Sequence, residues 1–283
     1  MTAYFVYDVF SNQPFGGNQL AVFPDATSLP EDKLQRITAE FNFSEVTFVY
    51  PASDPANTAK VRIFTPTMEI PFAGHPTIGT AIALRDEGHS GEMTLELGVG
   101  PVSCSFEGDI AAFTRAAPLE RTATPDPTLV AAGLGLPIAA INMTTHAPVQ
   151  AGVGLAFTIV ELTDKDQLNA CATSVDHFRK GAELYPSGMD FAIFAYIRDG
   201  MQIEARMFAP LDNMPEDPAT GSASAALGAL LTEELGKDLK LDILQGEAMG
   251  RPSYITATTK HANPVPVTIS GQAVRVMQGT LLV

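Results

Sequence analysis

Tryptophan is absent from the 283 residues, which excludes any Trp-lined stacking surface. Cysteine occurs only as Cys104 and Cys171, far apart and without CxxC spacing. Neither a disulfide framework nor a thiolate zinc site can be built from them, and both read as packing residues. Lys and Arg total 17 against 32 acidic residues, for a net charge of −15, and no run of basic residues appears. Nucleic acid and anionic membrane are therefore set aside as partners, and an anionic ligand must be held by local dipoles rather than by the overall field. No segment approaches the ~18 uninterrupted apolar residues of a spanning helix. The segment Met1 to Asp8 also lacks a basic region ahead of an apolar one, so a soluble cytoplasmic protein is expected. Missing too are GxGxxG opening a βαβ unit, GxxxxGK[ST], GxSxG, HExxH and an obvious Ser-His-Asp order. A reaction on a small molecule without cofactor or metal is what these absences leave.

What the chain does contain is a phrase written twice. Arg62-Ile63-Phe64-Thr65-Pro66 and Pro71 recur as Arg206-Met207-Phe208-Ala209-Pro210 and Pro215, an offset of 206 − 62 = 144. Each copy runs on through a glycine, Gly74 or Gly221, into an Ala-rich helical stretch. Those glycines are 147 apart, so the second copy carries about three extra residues in its turn. Solenoid periods of ~20–50 residues are too short to account for such a spacing, which suits two similar domains.

The patterning predicts strands over Tyr4 to Phe10 and Leu20 to Phe23 around the Gly16-Gly17-Asn18 turn, then a helix from Leu29 to Phe41. Strands follow at Val46 to Tyr50 and Lys60 to Phe64, and a helix from about Pro76 to Arg85. The Pro-rich stretch from Ala116 to Pro127 reads as a linker. Domains are accordingly expected at 1–118 and 128–269, with 119–127 between them. The final strands suit either sheet; assigning 270–283 to the first domain is one of the two readings.

Two helix openings carry the chemistry. In Phe72-Ala73-Gly74-His75-Pro76 and in Asp217-Pro218-Ala219-Thr220-Gly221-Ser222, glycine admits a ligand to backbone N–H groups at the positive end of a helix dipole. The alternative makes Gly74 and Gly221 tight turns and Ser222 a plain N-cap. His75 is either structural or a proton-handling group, and Asp217 either a cap or a partner in proton transfer. Glu45, flanked by Phe43, Val46 and Phe48, is either an exposed strand-end carboxylate or a base whose charged form is disfavoured by an apolar setting.

At these residues the chain resembles the phenazine-biosynthesis PhzF family, which is similar in fold to diaminopimelate epimerase and proline racemase. The matching stretches are Asp8-Val9-Phe10 with Phe15-Gly16-Gly17-Asn18, Ser44 to Phe48, Arg62 to Pro66 through Thr77, and Glu216 to Ala223. Gln19 and Asn213-Met214 depart from the family pattern. The resemblance implies an α+β fold of two similar domains, each a mainly antiparallel sheet or barrel wrapped around a central helix, with the site in the cleft between them, and a homodimer. It implies Glu45 as general acid/base, with His75, Asp217 and Ser222 binding substrate and positioning protons, and Gly74 and Gly221 as backbone donors. Asn18 is read as a further substrate-binding residue. The expected activity is a cofactor-independent isomerisation that moves a proton and a double bond on a small carboxylated substrate, as with trans-2,3-dihydro-3-hydroxyanthranilate. The alternatives are a racemase or epimerase of a small amino or hydroxy acid, and a non-catalytic binding protein of the same fold.

Overall fold

The computed structural model describes residues 1–282. By contacts the chain divides into two compact units, one formed by Met1–Thr114 with the segment from Ser270 onward, the other by Arg115–Ile269.

In the first unit, Thr2–Val9 pairs antiparallel with Ala273–Leu281 on one side and with Asn18–Phe23 on the other. Asn18–Phe23 runs parallel to Glu45–Tyr50, placing Leu20 opposite Glu45. Glu45–Tyr50 pairs antiparallel with Ala59–Phe64, which lies parallel to Met93–Leu97. The predicted helix over 29–41 is a 3-10 turn, Glu31–Lys33, followed by helix α1, Leu34–Phe41. Helix α1 stops at Asn42, whose left-handed backbone turns the chain into the Glu45 strand.

Helix α2, Gly74–Asp86, is buried along its whole length from Gly74 to Leu84. Over that stretch it is buried on every face, His75, Thr77 and Thr80 included, as suits a helix surrounded by strands. It touches the strands Thr2–Val9, Asn18–Phe23, Glu45–Tyr50, Met93–Leu97 and Ala273–Leu281. A Cβ at Gly79 would lie 2.5 Å from Leu20 Cδ2 and 2.7 Å from Val9 Cγ2, so that glycine sets how closely helix and sheet approach.

The second unit repeats the plan. Ala156–Glu161 runs parallel to Ile193–Asp199, which pairs antiparallel with Gln202–Ala209, which in turn runs parallel to Leu239–Gln245. The parallel pairs thus fall at equivalent places in both halves of an otherwise antiparallel scheme. The short helix α3, Pro127–Gly133, precedes these strands in sequence, and α4, Lys165–Ala170, and α5, Val175–Leu184, lie between the first two of them. Leu129 and Val130 of α3 and Phe178 of α5 share an apolar core with Val160, Ile193 and Phe208. Helix α6, Gly221–Leu235, takes the part of α2 and is buried from Ala223 to Thr232. It touches the strands Val149–Gly152, Ala156–Glu161, Leu239–Gln245 and Ser253–Thr259. Gly236, at φ 63°, ends it by donating its N–H to the Thr232 carbonyl.

The sequence repeat has a physical meaning. Arg62 lies 5.1 Å over the Phe64 ring and forks onto Glu69, with Nε to Oε1 at 2.8 Å and Nη2 to Oε2 at 2.7 Å. Arg206 lies 4.8 Å over Phe208 and forks onto Glu216, both bonds at 2.8 Å. The Arg-to-Glu spacing is seven residues in the first copy and ten in the second. The three extra residues lie ahead of the glutamate, where the 3-10 turn Pro210–Asp212 is inserted. Glu69 and Glu216 are therefore the equivalent positions, and the match of Pro71 with Pro215 at the shorter offset does not hold structurally.

The stretch expected as a linker, 119–127, also differs. Glu120–Ala123 is a strand paired with Val149–Gly152, and Pro127 already belongs to α3. Main-chain pairing needs no apolar periodicity, so prolines on either side disguised the strand. Cys104 and Cys171 are buried, and burial pushes their thiols up to about 12 and about 11. No helix among the described residues is long and apolar enough to cross a membrane.

Candidate active site

Three chain segments of the first unit converge on Glu45. It is the first residue of the strand Glu45–Tyr50, beside Leu20. Ser44 Oγ, one residue earlier, lies 3.4 Å from Asn18 Oδ1. The turn ahead of Asn18 depends on Gly17, whose φ is 61° and whose Cβ, if present, would meet the Val9 carbonyl oxygen at 2.3 Å. His75, the second residue of α2, hydrogen-bonds the Gln19 backbone and brings Nε2 to 3.5 Å from Glu45 Oε2. The Glu45 side chain is 12% exposed and that of His75 5%. The exposed strand-end reading of Glu45 thus fails, because the helix start closes over it.

Burial pushes the His75 ring down to about 3, against the opposing effect of the Gln19 backbone bond. Its imidazole is neutral at ordinary pH. Nε2 makes no hydrogen bond among the described residues. A buried polar atom without a partner is costly, and such atoms concentrate where a ligand completes the bonding.

Gly74 opens α2 and Gly221 opens α6. Neither has a positive φ, so neither is a glycine demanded by a left-handed backbone. Neither helix start carries a side-chain cap hydrogen bond, which leaves backbone N–H groups at the positive end of each helix dipole. Helix α2 tolerates Pro76 because a first-turn N–H has no intrahelical partner to lose.

In the second unit, Asp217 ends the strand Met214–Asp217 and is buried. Its neighbour Glu216 is occupied by Arg206, since successive strand residues face opposite ways. Asp217 Oδ2 accepts from Thr220 Oγ1 at 2.5 Å. The N-cap of α6 is Thr220, so Ser222 stands within the first turn and is not the cap. The structure groups Glu45, His75 and Asn18 in the first unit and Asp217, Gly221 and Ser222 in the second.

Three polar residues at these places were not singled out as site residues by the sequence. Gln19 holds His75 through its backbone, while Thr220 and Gln245 hold the Asp217 turn. Gln19 was visible only as a departure from a family pattern, and Gln245 gave no signal. Among the described residues no group of His, Cys, Asp and Glu is arranged to hold a metal ion.

The arrangement offers a buried carboxylate against a neutral imidazole, beside the positive end of a helix dipole. That is suited to taking a proton from carbon while negative charge develops nearby. Comparison with known proteins places the chain in a family. The family model for phenazine biosynthesis-like proteins, PhzC-PhzF, matches residues 7–279. A trans-2,3-dihydro-3-hydroxyanthranilate isomerase of Pseudomonas aeruginosa is 34% identical over 99% of this chain and 99% of its own. An uncharacterized isomerase of Mesorhizobium japonicum is 36% identical over 99% of this chain and 98% of its own. The crystal structure of a PhzF-family phenazine biosynthesis protein from Bacillus anthracis superposes with a TM-score of 0.88 at 24% identity, covering 100% of this chain and 99% of that one.

Proposed function

The chain belongs to the PhzC-PhzF family of phenazine biosynthesis-like proteins and is an isomerase, and we propose that it moves a proton, and with it a double bond, on a small carboxylated substrate without a cofactor. A substrate of the kind named for its relatives, trans-2,3-dihydro-3-hydroxyanthranilate, is the first candidate. The observation that carries this reading is the buried juxtaposition of Glu45 with His75.

In the proposed reaction Glu45 takes a proton from one substrate carbon, the electron pair shifts along the conjugated system, and Glu45 returns the proton at another carbon. Substrate and product have the same composition, and the carboxylate ends as it began. Neutral His75 binds a polar group of the substrate, and the N–H groups opening α2 bind its carboxylate. Asn18 holds the Ser44 end of the Glu45 strand and contacts the substrate. We further propose that Asp217, Gly221 and Ser222 at the start of α6 serve the same substrate, with Asp217 positioning protons. The support is the repeated motif and its repeated environment. A homodimer in the cytoplasm is proposed on the family resemblance, and light scattering tests the oligomeric state.

Racemisation through two opposed thiols is disfavoured, because the only cysteines are buried in packing positions with thiols pushed up to about 12 and about 11. Reaction in D₂O separates isomerisation from epimerisation. The proposal expects a shifted double bond in the product. A substrate skeleton returned with an inverted, fully deuterated centre would instead establish epimerisation. Calorimetric binding with neither a shifted double bond nor any hydrogen exchange would indicate a binding protein.

A further inference from the structure

We propose that Gln245 is a positioning residue for the reaction, acting through Thr220 to hold the Asp217 carboxylate and the opening of α6 in one hydrogen-bonded arrangement. This rests on the placement of Asp217 in the site under the proposed function.

Gln245 ends a strand whose other buried residues are Leu239, Leu241 and Ile243. It is a fully buried polar side chain on an apolar face, and its bonds all go to the turn from Asp217 to Thr220. The orientation of its amide is forced. The Thr220 backbone N–H can only donate, so it faces Oε1, at 3.0 Å. The Asp217 carbonyl can only accept, so it faces Nε2, at 2.8 Å. Nε2 also lies 2.9 Å from Thr220 Oγ1, which must therefore accept from it. The single hydroxyl proton of Thr220 is then left for Asp217 Oδ2 at 2.5 Å.

Donation thus runs one way, from amide to hydroxyl to carboxylate, and obliges this oxygen of Asp217 to act as an acceptor. Gly246 makes the approach feasible. Its φ is 76°, and a Cβ there would lie 2.6 Å from the Pro218 carbonyl oxygen and 2.5 Å from that of Arg251. The same Gln245 amide bonds both the residue bearing the carboxylate and the N-cap residue of α6. Displacing it therefore moves both groups together.

The test has two arms on the full chain. Amide hydrogen exchange at Thr220 is compared between wild type and Gln245→Leu. Turnover of trans-2,3-dihydro-3-hydroxyanthranilate is compared among wild type, Thr220→Val and Thr220→Ser. The expected results are exchange at Thr220 faster by roughly tenfold or more in Gln245→Leu, with the α6 interior still protected. Thr220→Val should lower kcat by about tenfold with a smaller change in KM, and Thr220→Ser should restore it, because the hydroxyl alone carries the relay.

A purely structural Gln245 would lower stability without separating valine from serine at 220. Unchanged protection of Thr220 in Gln245→Leu, or wild-type kcat in Thr220→Val, overturns the proposal. If Gln245→Leu does not fold, the Thr220 pair decides. A wild type inactive on this substrate would count against the proposed function, while the exchange arm would still report whether Gln245 holds the turn.

Discussion

His75 Nε2 lies 3.5 Å from Glu45 Oε2, and both side chains are almost wholly withdrawn from water. A helix start and a strand start are brought together there by the Gln19 backbone, which bonds the imidazole from the strand beside Glu45. Proton-transfer chemistry needs both a base and a neighbour that does not neutralise it. A neutral imidazole meets the second requirement.

That neutrality has a consequence for stability. The folded His75 ring titrates at about 3, whereas an unfolded one titrates near 6.5. Between those values the unfolded chain binds a proton that the folded chain does not. The stabilisation is therefore complete above pH 6.5 and is lost progressively as pH falls toward about 3. Wild type should lose stability between pH 6.5 and 5 more steeply than His75→Gln, by up to ~1.4 kcal/mol per pH unit. Urea unfolding midpoints across that range check this, and equal slopes would count against a buried neutral ring.

The two Arg-Glu forks of the repeat should differ in worth. Arg206 and Glu216 have side chains 12% and 16% exposed, against 23% and 42% for Arg62 and Glu69. Arg206 Nη1 also donates to the carbonyls of Leu168, Asn169 and Cys171 at and just beyond the end of α4. Arg206→Ala leaves a shielded carboxylate and those carbonyls without their donor, a loss of about 2–4 kcal/mol. Arg62→Ala should cost about 1 kcal/mol or less, since exposed pairs are worth little. Chemical denaturation of both variants measures the difference, and equal losses would contradict it.

Gly17→Ala should damage fold and function together. The alanine must adopt a left-handed backbone and place its Cβ against the Val9 carbonyl, for a loss of about 1–3 kcal/mol. Because Asn18 and Gln19 follow directly, turnover should fall even in the folded fraction. Comparing kcat per folded molecule, by activity and circular dichroism on the same sample, checks this.

Much of this architecture was legible in the residues because it is built on side-chain chemistry. The Arg-x-Phe phrase marks a stacked guanidinium with a carboxylate partner, so its repetition revealed equivalent strands. The glycine openings and small residues of α2 and α6 revealed helices, and the family resemblance implied that sheet wraps them. Glu120–Ala123 was hidden because strand pairing of this kind needs no apolar periodicity. Helices α4 and α5 went unread because they are short and largely exposed, with little apolar face to show. Leu239–Gln245 alternates plainly, yet its last buried position is an amide, and only the turn it serves explains why. Local setting left Glu45 and His75 open to two readings each, and only the family resemblance implied roles for them. Gln19 and Gln245 could not be named as site residues, since one acts through its main chain and the other across 25 residues of sequence.

The reaction itself is read most directly by following trans-2,3-dihydro-3-hydroxyanthranilate by ultraviolet absorbance and proton NMR with wild type and Glu45→Gln in parallel. Wild type should deplete the diene signal, and the variant should be slower by a hundredfold or more, as positioned proton transfer contributes ~10²–10⁴. Near-normal turnover by a folded Glu45→Gln would contradict Glu45 as the base.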